Sequence, residues 1–426
     1  MQRAAAFFFG FGSYFFLVRY YSLEDFGVWA LYVVVSTAIE MSRSAFIQNA
    51  FVKFFNEDGS DKDGLFSASL FLNLASTIVF IIAIVALMPV MEWYWNSEAV
   101  LVLIGWYCVT SLVLVPFTQF NYLEQANHSF AGVFWATAVR QGSFFLLVVI
   151  CFFYIPDLPL VFFAAAHTAC ALLGLIVSWA LARRLLPARY FLDWVLVRRL
   201  FKFGKYILGT GITSTIGKSA DQAILGGVDK SLTALYNSGV RVLNFVEVPV
   251  LSISSIVYPK IAEKASKEGA AGAADLYEKS VATILALILP VVIFVVIFPE
   301  FVLMLTAGNK YLEAATTLRI LAASSIMLPF NVQIGSACEV INKPQISFYI
   351  NLVSNLLNVV FNIFMIKYFG MIGAAVTFAL TLFFIFCVGQ FYMYRLLGTR
   401  LFHIVYRVGE FYRDRYRFAV SYLKKA

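Results

Sequence analysis

Charge is scarce in this sequence. Asp, Glu, Lys and Arg make up 13% of 426 residues, against 61% hydrophobic. Soluble domains carry about 25% charged residues, so an ordinary water-soluble globule is excluded. The three histidines and five cysteines are scattered, without metal-ligand spacing. Cys108, Cys151, Cys170, Cys338 and Cys387 all fall inside apolar runs and read as small core residues. Neither a disulfide framework nor a zinc site is expected. The chain also lacks a GxxxxGK[ST] loop, an HExxH pair and a GxSxG elbow. ATP hydrolysis and familiar hydrolase chemistry by this chain are therefore not expected, and no cofactor or metal is implied. Short alternating strands are missing too, which argues against a barrel.

What the sequence does have is apolar runs of bilayer-spanning length, about 20 residues each. They lie near 4–21, 26–51, 65–90, 98–121, 129–154 and 158–182, then near 204–227, 231–257, 280–305, 313–337, 345–368 and 371–395. The fold class is an all-α integral membrane protein with about twelve transmembrane helices. The division is 1–184 as an N-terminal lobe, 185–203 as a basic connector, 204–397 as a C-terminal lobe and 398–426 as a basic amphipathic tail. The first run begins almost at Met1 and is followed by Arg19 without a small-residue cleavage pattern, so no removable leader is expected. A start upstream of Met1 stays open.

Charge placement orients the helices. The connector carries Arg183, Arg184, Arg189, Arg198, Arg199, Lys202 and Lys205, and further basic residues share its side, whereas the opposite side offers Arg19, Lys230, Lys310 and Lys367. The excess of Lys and Arg on one side predicts that both termini are cytoplasmic. Beyond Leu401, apolar residues recur at helical spacing against Arg407, Arg413 and Arg417, a pattern suited to a helix lying on an anionic leaflet. The halves also echo each other. ALYVVV (30–35) matches ALYNSG (234–239), LVPF (114–117) matches MLPF (327–330), and EQANH (124–128) matches EVINK (339–343). Six helices per half is an even number, so the repeats share one orientation.

Inside the runs stand Arg43, Arg140, Lys218, Arg241 and Arg319, with Glu40, Asp221 and Glu247. A charge at the bilayer centre costs roughly 2.5–3.5 kcal/mol on insertion scales, so these side chains are expected to face a shared interior. Glu40 with Arg43, and Lys218 with Asp221, are three residues apart and can neutralise themselves on one helix face. Glu247 can take one more cation. Arg140 and Arg319 have no acid at i±3 or i±4, so they are the cations left over for an anion. Arginine suits a phosphate through paired hydrogen bonds. A second polar feature is the stripe Asn351, Asn355, Asn358 and Asn362, which falls on one helix face.

KSADQAILGG (218–227), ALYNSGVRV, SSIVYPKIAE, YSLEDFGVWALY (21–32) and NLLNVVFNIFMIKYFGMIGAAVT (355–377) resemble segments of polysaccharide-unit flippases. These belong to the multidrug/oligosaccharidyl-lipid/polysaccharide superfamily. Lys367 departs from the pattern, where many relatives have proline. The resemblance implies two six-helix lobes around a central cavity, and the mechanism expected of such lobes is alternating access by rocking. It implies a lipid-linked oligosaccharide as substrate, on an undecaprenyl diphosphate carrier, in the bacterial cytoplasmic (inner) membrane. Expected partners are that carrier, membrane lipids and polysaccharide polymerase machinery, without nucleic acid. Lys218, Asp221 and Arg241 match charged positions of the family, whereas Arg43, Arg140 and Arg319 rest on the charge argument. Asn358 and Asn362 lie in a motif shared by members with different cargo and read as helix packing, leaving Asn351 and Asn355 as candidates for sugar contact. Glu40, Asp221 and Glu247 are candidates for charge pairing or ion coupling. Two alternatives stay open: a cation-coupled multidrug exporter of the same superfamily, and a membrane polymerase or ligase of lipid-linked glycans.

Overall fold

The structure is a computed structural model. It describes residues 2–341 and 343–423, and their side chains other than those of 2–4, 45, 206–207, 209–214, 216, 218, 255–256, 258–263, 265–266, 270 and 416–423. The described chain is helical throughout: α1 (Gln2–Tyr20), α2 (Leu23–Phe55), α3 (Lys62–Trp95), α4 (Glu98–Ala126), α5 (Phe130–Tyr154), α6 (Leu160–Ala182) and α7 (Trp194–Val228). Then follow α8 (Lys230–Ile297), α9 (Pro299–Thr306), α10 (Ala315–Ser324), α11 (Leu328–Val340), α12 (Pro344–Leu397) and α13 (Leu401–Leu423). Two of these are pairs of helices joined at a glycine, α8 at Gly269 (φ 66°) and α12 at Gly370 (φ 55°). Such left-handed backbone favours glycine. Among the described residues, eight helical stretches are long and apolar enough to cross a membrane, and α12 is one of them. The protein is a multi-pass membrane protein, and the twelve expected spans fall on helices.

The chain forms two compact units, residues 1–234 and 235–426. The connector does not end the first unit, because α7 runs along α2 and α3 and belongs with them. At its start, Val197 and Leu200 join Phe46, Phe51, Leu65, Phe66 and Leu123 in one buried apolar cluster.

Local chemistry sets the helix starts and close approaches. In YSLEDFG, Ser22 caps α2 by accepting from the Asp25 amide at 3.1 Å. Two residues later comes Gly27, where a Cβ would lie 2.0 Å from the Lys230 carbonyl oxygen, so only glycine fits there. Lipid supplies no hydrophobic drive between helices, and interhelical hydrogen bonds take its place. Thr110 and Thr168 tie α4 to α6 at 2.6 Å, and Gln48 donates to Gln125 at 2.8 Å between α2 and α4. Tyr20 and Tyr21 donate to the carbonyls of Ile155 and Leu158, fastening the α5–α6 turn to α1.

In the second unit, the run expected at 313–337 is not one continuous helix. It is a 3₁₀ turn over Asn309–Ala314, α10, a second 3₁₀ turn over Ser325–Met327, and α11. Pro329 cannot donate to the Ser325 carbonyl, and the Leu328 amide bonds it instead, which tightens the backbone into 3₁₀ geometry. A second proline is met differently. Pro290 leaves the Ala286 carbonyl of α8 without its helical donor, and the Tyr412 hydroxyl of α13 supplies one. Ile404 of α13 is fully buried and Arg407 pairs with Asp275, so the tail helix is docked along one face. Of the cysteines, Cys151, Cys170 and Cys338 are buried, but Cys108 is half-buried and Cys387 exposed.

Candidate functional site in the first unit

Helix α2 carries Tyr32, Glu40 and Arg43 on the face it turns toward α3, α4 and α5. Arg43 is 1% exposed. Its Nη1 donates to Asn73 Oδ1 of α3 at 2.8 Å and reaches Thr118 Oγ1 of α4 at 3.5 Å. Asn73 is held for that role, since its Nδ2 donates to Thr118 Oγ1 at 3.1 Å and to the Val115 carbonyl at 3.3 Å. Nε and Nη2 of Arg43 are buried and have no hydrogen-bond partner among the described residues. This departs from the expected pairing. Glu40 and Arg43 do not neutralise each other, because Arg43 points into the α3–α4 seam.

Glu40 instead faces Arg140 of α5, with Nη1 3.7 Å from Oε1. That separation is at the outer limit of an ion pair, and the two side chains are 13% and 29% exposed. The Arg140 guanidinium lies 5.0 Å from the centre of the Phe117 ring, and its Nε has no partner. Beside them, the Tyr107 hydroxyl is buried without a partner, within electrostatic range of Glu40, Arg43 and Arg140. His167 of α6 sits 3.4 Å from the Tyr32 hydroxyl through Nδ1 and edge-on to Phe144 at 5.3 Å. In this cluster two guanidinium groups share one carboxylate, an excess of one positive charge, and three guanidinium nitrogens and the Tyr107 hydroxyl, without partners among the described residues, can donate to oxygen acceptors. In a low-dielectric interior such a group strongly favours an anion.

The remaining expected residues are placed elsewhere. Asp221 is buried in α7, where it accepts from the Gln222 amide at 2.8 Å. The Lys218 side chain lies outside the described residues. Arg241 and Glu247 are half-buried in α8 within the second unit, each with interactions of its own. Arg319 is not a leftover cation: Nη2 is 3.3 Å from Glu300 Oε1, and Nε donates to the Val296 carbonyl near the end of α8. It is 44% exposed.

The asparagine stripe divides. Asn362 donates to Asn358 at 3.0 Å, and Asn358 donates to Thr381 beyond the Gly370 bend at 3.1 Å, so this pair ties the two halves of α12 together. Asn351 is exposed and bonds its own helix through the Ser347 carbonyl at 2.8 Å, and Asn355 is half-buried. Sequence reasoning missed Asn73, Thr118 and Tyr107. Asn73 had a signal: it is a lone amide in the run with mean hydropathy 2.6.

Comparison with known proteins places the chain. The family model described as polysaccharide biosynthesis protein matches residues 16–316, and the chain belongs to that family. Among curated relatives it is 25% identical over 185 residues to a probable low-salt glycan biosynthesis flippase, Agl15, of Haloferax volcanii. That alignment covers 43% of this chain and 39% of the relative. The fold is that of an inward-facing multidrug resistance MATE family transporter of the MOP superfamily (TM-score 0.75, 16% identity, 92% of this chain and 95% of that one). It is equally that of the lipid II flippase MurJ in an inward closed conformation (TM-score 0.73, 13% identity, 95% and 88%).

Proposed function

We propose that the chain is a transporter, not an enzyme: a flippase that carries a lipid-diphosphate-linked oligosaccharide across the cytoplasmic membrane by alternating access, for cell-surface polysaccharide synthesis. The observation that carries this reading is Arg43, a fully buried guanidinium with two unpartnered nitrogens beside a loosely held Arg140–Glu40 pair. The interior is short of negative charge, and a diphosphate supplies it. Substrate oxygens accept hydrogen bonds from the Arg140 guanidinium first, since it is the more accessible of the two, and Glu40 swings aside. Arg43 then stabilises the anion from behind. Family membership and the glycan-flippase relative support the substrate class. Lys218 and Arg241 stay with the proposal on the family resemblance, Asn351 and Asn355 as sugar contacts; Arg319 leaves it, being engaged by Glu300 and a helix end.

The carrier in this reading is a polyprenyl diphosphate such as undecaprenyl diphosphate, and both termini lie in the cytoplasm as the Lys/Arg asymmetry indicates. An inside-negative potential then drives export. At roughly 2.3 kcal/mol per charge per 100 mV, two charges crossing the full field gain about 5 kcal/mol. The net positive interior disfavours the cationic cargo of a multidrug exporter.

The test is a flip assay in proteoliposomes, with a diphosphate-linked oligosaccharide placed in one leaflet and lectin access followed on the other. Wild-type protein is expected to move it, and Arg140→Gln to slow it at least tenfold. Movement that survives removal of the diphosphate, or proton-driven exchange of a cationic dye instead, would overturn the assignment. Glycan-chain growth by the purified protein would indicate a polymerase.

A further inference from the structure

The segment between α6 and α7 does more than signal orientation. Residues 183–205 hold seven of the chain's basic residues and one acid, Asp193. Asp193 is committed to capping α7, accepting from the Val195 amide at 2.7 Å. Arg199 is committed to Glu57 of the α2–α3 turn. Arg183, Arg184, Arg189, Arg198 and Lys202 are exposed and form no ion pair among the described residues. One face of the segment is fixed, because Val197 and Leu200 are buried in the cluster of α2, α3 and α4, with Leu185 and Leu186 packed against it.

The opposite face is apolar as well as basic. Tyr190, Trp194, Val195 and Phe201 are each at least half exposed. Trp194 extends the exposed surface of a spanning helix, meeting the exposed Phe71 of α3 edge-on at 5.6 Å, whereas Tyr190 packs at 6.1 Å on Phe66, which is buried in that cluster. Exposed rings, one of them continuous with the surface of α3, alternating with cations that form no ion pair among the described residues, match the boundary where hydrocarbon gives way to headgroups.

We infer that this connector is a docking surface for the anionic phospholipid of the leaflet next to the end of α6. Its rings sit at the headgroup boundary, and its five free cations bind headgroup phosphates. The charge is complementary to that leaflet, and the connector follows α6 and packs on α3, both long and apolar enough to cross a membrane, which favours lipid over a soluble partner. The inference rests on the membrane fold and does not depend on the transport reading.

The experiment uses the full chain in nanodiscs of phosphatidylcholine with and without phosphatidylglycerol, reading Tm and the phosphatidylglycerol retained in native mass spectrometry. Phosphatidylglycerol is expected to raise the wild-type Tm. The variant R183Q/R184Q/R189Q/R198Q/K202Q should lose that rise and retain at least about tenfold less of the lipid, with its Tm in phosphatidylcholine unchanged. Inorganic phosphate added to phosphatidylcholine discs should not reproduce the rise. The inference is overturned if wild type shows no phosphatidylglycerol dependence, or if the variant keeps it. It is equally overturned if free phosphate substitutes for the lipid, or if the variant melts lower in phosphatidylcholine, which would make these residues structural.

Discussion

If Arg43 is kept for an anion and not for the fold, removing it together with its partner should cost transport and leave stability intact. The perturbation is Arg43→Met with Asn73→Leu. Wild type gains a charge-assisted hydrogen bond from Arg43 Nη1 to Asn73 Oδ1 at 2.8 Å, which contributes about 1.5–3 kcal/mol, and a longer, weaker one to Thr118 Oγ1 at 3.5 Å. Against it stand two buried guanidinium nitrogens without partners, each costing about 1–3 kcal/mol. The desolvation of the charge itself adds several kcal/mol. Replacing both partners by apolar side chains leaves no orphan, and such exchanges are neutral or stabilising by about 1–4 kcal/mol. Asn73→Leu alone is the opposite case: it strands the charge and should cost about 3–5 kcal/mol. Thermal melting of the two variants in nanodiscs, beside the flip assay, reads both quantities. The double variant should melt at or above wild type and fail to flip. A double variant that melts as low as Asn73→Leu would show Arg43 to be a structural tie, and one that flips at the wild-type rate would remove the guanidinium from the mechanism.

Three further outcomes follow from the packing. Tyr412→Phe should cost about 1 kcal/mol, because the Ala286 carbonyl loses its donor; in Pro290→Ala, which restores the helical amide, the same change should cost measurably less, and a double-mutant cycle of melting curves reads the difference. Asn358→Leu should destabilise by about 0.6–1.7 kcal/mol through loss of the bond to Thr381, whereas Asn351→Ala, at an exposed position, should leave Tm unchanged and show any effect in flipping alone. Gly27→Ala should sharply reduce the yield of folded protein, since its Cβ would meet backbone, the Lys230 carbonyl oxygen, at 2.0 Å, and backbone cannot rotate away; a normal melting curve for that variant would refute the close approach.

The helices and the list of charged residues were legible in the sequence, because a bilayer makes both expensive to disguise. The pairing was not. A rule confined to i±3 and i±4 sees one helix at a time, so it paired Glu40 with Arg43 and left Arg140 and Arg319 over. The folded chain brings Glu40 to Arg140 across α2 and α5, and Glu300 to Arg319 across a helix break. Which cation lacked an acid depended on contacts that only the fold makes. Asn358 and Asn362 were legible as packing residues from the shared motif, and they bond within α12. The break in the run at 313–337 was hidden for a different reason: Pro329 was visible, but whether a proline kinks, tightens or borrows a donor is decided by what stands next to its orphaned carbonyl.

The two prolines and the arginine follow one rule. In lipid there is no water to satisfy a stray polar group, so each must find a partner within the protein. The Ser325 carbonyl finds the Leu328 amide and the Ala286 carbonyl finds Tyr412, and both become glue. The buried hydroxyls of Thr317 and Thr377 have no hydrogen-bond partner among the described residues, but they are neutral and cost less than a charge does. Arg43 is neither neutral nor satisfied, although an apolar side chain would fill its place at lower cost. What the fold gains from it is the tie to Asn73 and Thr118, and the proposed function assigns the rest of the guanidinium to an anionic substrate.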